Sequence, residues 1–238
     1  MKIRIKFTRH GSVKFLGHLD LMRYFQKAIR RADIDIKYSE GFSPHQIMSF
    51  AAPIGVGVES CGEYFDIEVH STMSSQEAIN ALNATMADGI MVTQYRQLPD
   101  KTPKAMAQVA AATYELYYKN PEDNPLELGK LEKQVDNYII ATNEILVTKE
   151  TKKSVREINL KPFIYDFRII DRNGPGFFMM LSAGSIENIK PQLVLQYLYE
   201  KTGLSFDINQ IQIERQDVFF KSKKGEFLPL GAAGDCIE

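Results

Sequence analysis

The sequence predicts an α+β protein made of two tandem ferredoxin-like units, each a β-α-β-β-α-β run with an antiparallel sheet. Segments that alternate apolar and polar residues, as half-buried strands do, lie between segments of helical periodicity. This order of elements occurs twice along the 238 residues, without a repeat in the sequence itself. The predicted units are residues 1–97 and 112–221, joined by a linker at 98–111 and followed by a loose tail at 222–238.

The first half begins with a strand at residues 2–9, where apolar side chains alternate with charged ones. A helix up to Arg31 follows, and its apolar residues recur at intervals of three and four, which predicts a buried stripe. The residues of this stripe are Phe15, Leu19, Met22, Phe25 and Ile29. The remaining elements of this half are strands at 47–50, 63–70 and 90–96 and a helix at 76–86.

Pro99 and Pro103 mark the linker, because proline interrupts regular structure. The second half repeats the order of elements, with an additional element around residues 156–158. Its strands are predicted at 112–119, 144–149, 163–171, 177–182 and 210–219, and its helices at 126–141 and 192–201.

The composition is that of an ordinary globular protein, with 44% hydrophobic and 25% charged residues. A run of about 18 apolar residues, which a membrane-spanning helix needs, does not occur. The two cysteines, Cys61 and Cys236, form neither a disulfide framework nor a CxxC pair. We therefore expect a reducing, cytoplasmic compartment.

Positive charge is concentrated in the first 60 residues, which contain ten basic and five acidic residues and so carry a net charge of +5. Since the whole chain has a net charge of −1, the remaining residues carry −6. Arg23, Lys27, Arg30 and Arg31 fall on one outer face of the first helix, where they can bind the phosphates of a nucleic acid. The alternative is a solvated helix face, partly neutralised by Asp20. The charge asymmetry indicates a polyanionic partner at this end of the chain.

The loop that follows the first helix offers aromatic and glycine residues. Tyr38, Phe42 and Phe50 are candidates for stacking on unpaired bases. The alternative for Phe42 and Phe50 is a hydrophobic plug under the loop, and Tyr38 is the one expected to be exposed. Gly41, Gly55 and Gly57 would let the backbone approach a phosphate, although their spacing matches neither a dinucleotide fingerprint nor a P-loop, and turn formation is the alternative.

His18 and His45 are the acid–base candidates, since imidazole titrates near neutrality, and with Tyr38 or Glu40 they would cleave RNA without a metal. The alternatives are a half-buried histidine at a helix start and a loop-stabilising hydrogen bond. The four histidines and two cysteines have no ligand spacing, so no metal site is predicted.

Arg156 and Lys161, in the second half, are candidates for an additional RNA-binding surface, or for ordinary solvated charges. They lie in one short polar stretch that ends at a proline.

Three motifs together carry a resemblance: FLGHLDLMR at 15–23, YSEGFSPH at 38–45 and PIGVGVES at 53–60. The sequence resembles the bacterial radical SAM-associated family of unknown function, whose members are fused to radical SAM proteins or encoded beside them. The resemblance singles out motif residues Asp20, Glu40, Gly41, Pro44, His45, Gly55, Gly57, Glu59 and Ser60.

The resemblance implies a radical SAM partner that carries a 4Fe-4S cluster and S-adenosylmethionine, while this chain lacks the CxxxCxxC ligands and is expected to hold no cofactor. It also implies work in RNA modification. Three hypotheses follow: an accessory protein that binds tRNA or rRNA and presents it to the partner, a metal-independent RNA-processing enzyme that uses His18 or His45, and a protein-interaction module without RNA binding that docks through the loop around Phe42.

Overall fold

The computed structural model describes residues 1–125, 127–150, 155–172 and 174–238, and over these the chain is an α+β protein with mainly antiparallel strand pairs. It forms two compact units. The first unit combines Met1–Ala111 with Arg215–Glu238, and the second is Ala112–Glu214. The α+β class predicted from the sequence is confirmed.

In chain order the helices and strands are β1 (Lys2–Arg9), α1 (His18–Arg31), β2 (Met48–Phe50), β3 (Glu59–Glu68), α2 (Ser75–Asn83), β4 (Ile90–Leu98), α3 (Ala105–Gln108), β5 (Val109–Tyr118), α4 (Leu128–Val135), β6 (Leu146–Glu150), β7 (Val155–Asn159), β8 (Ile164–Asp171), β9 (Pro175–Ser182), α5 (Pro191–Thr202), β10 (Ile211–Lys221) and β11 (Phe227–Pro229). No helix among the described residues has the length and apolar character needed to cross a membrane.

The first unit orders its strands β4-β1-β3-β10, with β2 paired to β3 and β11 paired to β10. Its core joins the inward residues of β1 and β3 to α1 and α2. The Phe25 ring of α1 lies 4.6 Å from the Phe7 ring and 4.7 Å from the Phe65 ring, centroid to centroid. Edge-on and tilted aromatic contacts of this kind add to the hydrophobic gain and fix α1 on the sheet.

The buried face of α1 differs from the predicted stripe. Leu21, Phe25, Ala28 and Ile29 are buried, whereas Phe15 is 62% exposed and Leu19 60% exposed. The helix begins only at His18, and Phe15 ends a separate 3-10 turn, so the helical period does not extend back to it. Leu19 precedes Leu21 by two residues, about 200° around the helix, and therefore points away from the core.

The C-terminal segment, expected to be a loose tail, packs within the first unit. β11 pairs with β10, and Leu230 is completely buried. The guanidinium of Arg4 donates a hydrogen bond to the Leu230 carbonyl at 3.0 Å. The apolar residues between 227 and 230 explain the difference, because a loose tail would leave them in water.

The second unit departs from a single β-α-β-β-α-β run. Its strands follow the order β5-β9-β8, with the start of β10 beside β5, while among the described residues β6 and β7 pair only with each other. Four strands thus lie between α4 and α5 instead of two. The start predicted for the first helix of this half, residue 126, lies outside the described residues, and α4 continues into a π-helical turn at Asp136–Ile140. Two tandem ferredoxin-like units are therefore not established.

Candidate nucleic-acid interface

The outer face of α1 presents the four basic residues predicted from the sequence. Lys27, Arg30 and Arg31 are exposed and line one open cavity of about 460 Å³. Arg23 is also exposed, and its guanidinium lies 3.6 Å from the Asp20 carboxylate at the rim of the same face. That contact joins two side chains that are 69% and 65% exposed, so water screens it strongly.

In the part of the chain that the structure describes, Lys27, Arg30 and Arg31 have no ion pair. Three cations therefore share one depression without a neutralising carboxylate. Cations clustered in this way raise the local concentration of a polyanion and release its counterions when it binds. The solvated-face alternative would be favoured by acidic partners interspersed among these cations, and among the described residues the ion pair on this face is the one between Asp20 and Arg23.

The motifs at 15–23 and 53–60 come together beside the start of α1. The Gly57 N–H donates to the Lys14 carbonyl at 2.9 Å. The Lys14 ammonium lies 3.0 Å from Glu59 Oε1 and 5.7 Å from the centre of the Phe15 ring. The turn that carries Phe15 is thus held to the glycine-containing loop by one backbone and one ionic contact.

Glu59 is the acidic centre of this junction. Burial alone would raise the pKa of Glu59, but hydrogen bonds from the Lys14 ammonium and the Gly11 N–H, together with the charges of Lys14 and His10, hold the pKa below its ordinary value. The carboxylate is therefore ionised at neutral pH and serves as a structural anchor. The role of Glu59 in the motif is explained by this contact.

A buried ionic cluster of Arg9, Glu63 and Arg215 lies inside the first unit. Arg9 Nε lies 3.0 Å from Glu63 Oε1, and Arg215 Nη2 lies 3.7 Å from Glu63 Oε2. All three side chains are at most 3% exposed. Burial raises the pKa of Glu63 although Arg215 and Arg9 lower it, and burial lowers the pKa of Arg9. Desolvation of the buried charges therefore outweighs their attraction.

This cluster also contacts the backbone next to both motifs. Arg9 Nη1 donates to the Leu16 carbonyl at 3.2 Å, and Arg215 Nη1 donates to the Ala52 carbonyl at 2.7 Å. Sequence reasoning missed all three residues of the cluster. A signal existed for Arg9, which continues the inward alternation of Ile3, Ile5 and Phe7 into a position where an apolar residue is expected.

The motif at 38–45 forms a closed loop. The Ser39 N–H donates to the His45 carbonyl at 2.8 Å, and Ser39 Oγ lies 2.8 Å from His45 Nδ1. At the loop tip Phe42 is fully exposed, next to Gly41 with a φ of 105°, a backbone conformation that favours glycine. Phe42 therefore does not plug the loop against the core. Tyr38, at the base of the loop, is 48% exposed.

The histidines have different neighbours. The His18 ring packs edge-on against Phe50, with 5.2 Å between ring centres.

His45 is hydrogen-bonded to Ser39, as the loop-stabilising alternative predicts. It also lines a second cavity of about 310 Å³, together with Lys2, Asp66 and Glu68. Among the described residues neither His18 nor His45 forms an ion pair with a carboxylate. The structure thus brings two motifs together without pairing the two histidines.

The remaining motif residues divide into buried and exposed. Ser60 is buried, and its hydroxyl donates to the Arg215 carbonyl at 3.2 Å. Glu40, Pro44 and Gly55 are exposed. Ser60 therefore has a structural contact, while the exposed three lie on the surface of the motif loops.

The two basic candidates of the second unit have partners within that unit. Arg156 Nη2 lies 2.6 Å from Glu187 Oε2, and Glu187 also pairs with Lys149. The Lys161 ammonium donates to the carbonyls of Ile139 and Ile140, each at 2.7 Å, at the end of a helical segment. Both residues stabilise local structure, and their binding to RNA stays a prediction.

The fold and this surface define an α+β protein whose first unit carries a basic, solvent-exposed helix face. The chain belongs to the family described as "Uncharacterized protein conserved in bacteria (DUF2344)", whose model matches residues 2–191. No curated protein matches the chain.

Solved structures do match, and one of them is described as "Crystal Structure of a Cbf5-Nop10-Gar1 Complex". That match has a TM-score of 0.50 and 9% identity, and it covers 91% of this chain and 48% of the other. The chain therefore spans about half the length of the chain that it matches, and the likeness concerns the fold alone.

Proposed function

We propose that this protein binds RNA through the outer face of α1. The observation that carries the proposal is the cavity lined by Lys27, Arg30 and Arg31, three exposed cations without an ion pair in the described chain. With Arg23 they form a stripe of four positive charges along one helix. The phosphates of an RNA backbone repeat at regular intervals along the strand. Such a stripe of cations therefore binds the backbone independently of the RNA sequence.

The charge count predicts how binding depends on salt. For a single strand each phosphate contact contributes a slope of about −0.7 to log K against log salt, so four contacts give about −2.8. Between roughly 50 and 200 mM salt the affinity then falls about fiftyfold. Without two of the cations the slope becomes about −1.4, and the loss over the same range is about sevenfold.

The test is a fluorescence-anisotropy titration of labelled RNA at several salt concentrations. Lys27→Ala/Arg30→Ala is expected to bind more weakly than the wild type and to halve the slope. Lys223→Ala/Lys224→Ala is the matched control, because it removes the same charge from two exposed lysines outside α1. Equal slopes for the wild type and Lys27→Ala/Arg30→Ala, or no RNA binding at low salt, would refute the proposal.

We further propose that the bound RNA, a tRNA or rRNA, is presented to a radical SAM enzyme. The resemblance carried by the three motifs supports this partner, which would hold the 4Fe-4S cluster and S-adenosylmethionine. In this arrangement the present chain acts as a binding subunit, and the chemistry of RNA modification takes place on the partner.

Docking of that partner is a second candidate function, favoured by the exposed Phe42 at the tip of a hydrogen-bonded loop. An aromatic side chain that is rigidly displayed binds a protein pocket with little loss of conformational entropy. Phe42→Asp should break a complex with the radical SAM protein in a pull-down while leaving RNA binding intact. A complex that survives this substitution would contradict the docking role of the loop.

A further inference from the structure

An apolar platform continues the basic stripe of α1 toward its N-terminal end. Phe15, Leu19, Arg23 and Lys27 follow one another at intervals of four residues. Within the helix each such step turns by about 40°, so Leu19, Arg23 and Lys27 lie on one side of α1. Phe15 and Leu19 are 62% and 60% exposed, although the sequence pattern alone assigned both to the core.

The platform includes a third apolar residue from another loop. Val56 is 62% exposed, and its neighbour Gly57 is hydrogen-bonded to the Lys14 carbonyl directly before Phe15. Isolated exposed apolar residues are common and need no explanation. Here three large ones come from two motifs that a backbone hydrogen bond joins, at the N-terminal end of a cationic helix face.

The backbone on both sides of Phe15 is fixed. The carbonyl of Lys14, which precedes it, accepts a hydrogen bond from the Gly57 N–H, and the carbonyl of Leu16, which follows it, accepts one from buried Arg9. The backbone that carries the ring therefore needs little ordering when a ligand binds, and preorganisation of this kind strengthens binding.

We infer that Phe15, with Leu19 and Val56 around it, is a stacking platform for an unpaired base, so that α1 selects single-stranded over double-stranded RNA. This inference rests on the proposed RNA binding and adds the substrate class. The phosphates lie along Arg23, Lys27 and Arg30, and a base stacks on Phe15. A base within a duplex has both faces covered by its neighbours, whereas an unpaired base offers a face to an aromatic ring.

The chain contains no tryptophan, so Phe15→Trp introduces a single fluorescent reporter at the platform. Stacking of a base on the new indole is expected to quench its emission when a single-stranded RNA of about ten nucleotides saturates the protein. Met106→Trp is the matched control, since Met106 is 60% exposed in the same unit. Its emission is expected to stay unchanged.

Affinity measurements separate this inference from the proposed function. Phe15→Ala should lower the affinity for single-stranded RNA by at least about fivefold, because stacking of one base on an aromatic side chain strengthens binding by that factor or more. Its affinity for inorganic polyphosphate, which has no bases, and its salt slope should equal those of the wild type. Phe15→Tyr, which keeps an aromatic ring, should retain the affinity.

Two results would overturn the inference while leaving RNA binding by α1 intact. One is equal affinity of the wild type and Phe15→Ala for single-stranded RNA. The other is a Phe15→Trp emission that is unquenched, or quenched no more than that of Met106→Trp. Failure of the wild type to bind any RNA or polyphosphate at low salt would instead refute the proposed function.

Discussion

Removing the charge of Glu63 is expected to destabilise the protein far more than breaking an exposed ion pair would. In the folded chain the two guanidinium groups of Arg9 and Arg215 share this one carboxylate, at 3.0 and 3.7 Å. With an effective dielectric constant of about 20, each attraction amounts to about 5 kcal/mol before desolvation is subtracted. Glu63→Gln leaves a buried charge of +2, and breaking such a pair costs about 3–5 kcal/mol.

The assay is urea-induced unfolding followed by circular dichroism, because urea, unlike guanidinium, does not screen charges. Glu127→Gln is the matched control. Its partner Lys130 lies at the same 3.0 Å, but the two side chains are 73% and 72% exposed. The control is expected to lose less than about 1 kcal/mol of unfolding free energy.

A triple variant tests whether charge, and not shape, causes the loss. Arg9→Met/Glu63→Leu/Arg215→Met removes all three charges while keeping apolar volume, and buried ionic clusters replaced in this way are often neutral or gain stability. We expect it to unfold at a higher urea concentration than Glu63→Gln. The reasoning is refuted if Glu63→Gln costs no more than Glu127→Gln, or if the triple variant is as unstable as Glu63→Gln.

Three other predictions concern α1, its anchor and the histidines. Phe25→Ala should lower the unfolding free energy by about 3–5 kcal/mol in the same urea assay, since a buried ring is lost; a cost below about 1 kcal/mol would contradict its place in the core. The depressed pKa of Glu59 means that its contact with Lys14 stabilises the fold above about pH 4.3 and is lost as the pH falls through the folded-state pKa. Glu59→Gln should therefore be less stable than the wild type at about pH 6, and the difference should vanish as the pH falls through the folded-state pKa of Glu59; a difference that does not change with pH would exclude this anchor. RNA incubated with the protein and a chelator should stay intact, whereas cleavage abolished by both His18→Ala and His45→Ala would establish the metal-independent enzyme.

The sequence predicts the basic face of α1 well, because position on a helix surface follows directly from spacing. The same reasoning assigns Phe15 and Leu19 to the core and is wrong for both. A stripe of residues at intervals of three and four does not reveal where the helix begins. Here the chain makes a 3-10 turn up to Phe15 and starts the helix at His18, and the buried face of the helix begins at Leu21 and continues with Phe25, Ala28 and Ile29.

The buried cluster is partly visible in the sequence. Alternation in β1 places Arg9 with Phe7, and alternation in β3 places Glu63 with Phe65, so two opposite charges on inward positions can be recognised. Arg215 could not be found in this way. The chain separates it from its hydrogen-bonded neighbour Ser60 by 155 residues, and local periodicity carries no information about a strand pair at that distance.

The division of the first unit between both ends of the chain has a consequence for biosynthesis. A ribosome that adds about 5–20 residues per second makes Glu63 on the order of ten seconds or more before Arg215 emerges. During that interval β3 lacks its neighbour β10, and the close approach in which Gly62 meets the backbone of Gln216 does not yet exist. A nascent chain therefore displays its surface motifs before the sheet beneath them is complete, and this unit completes its fold only after the segment from Arg215 onward has been made.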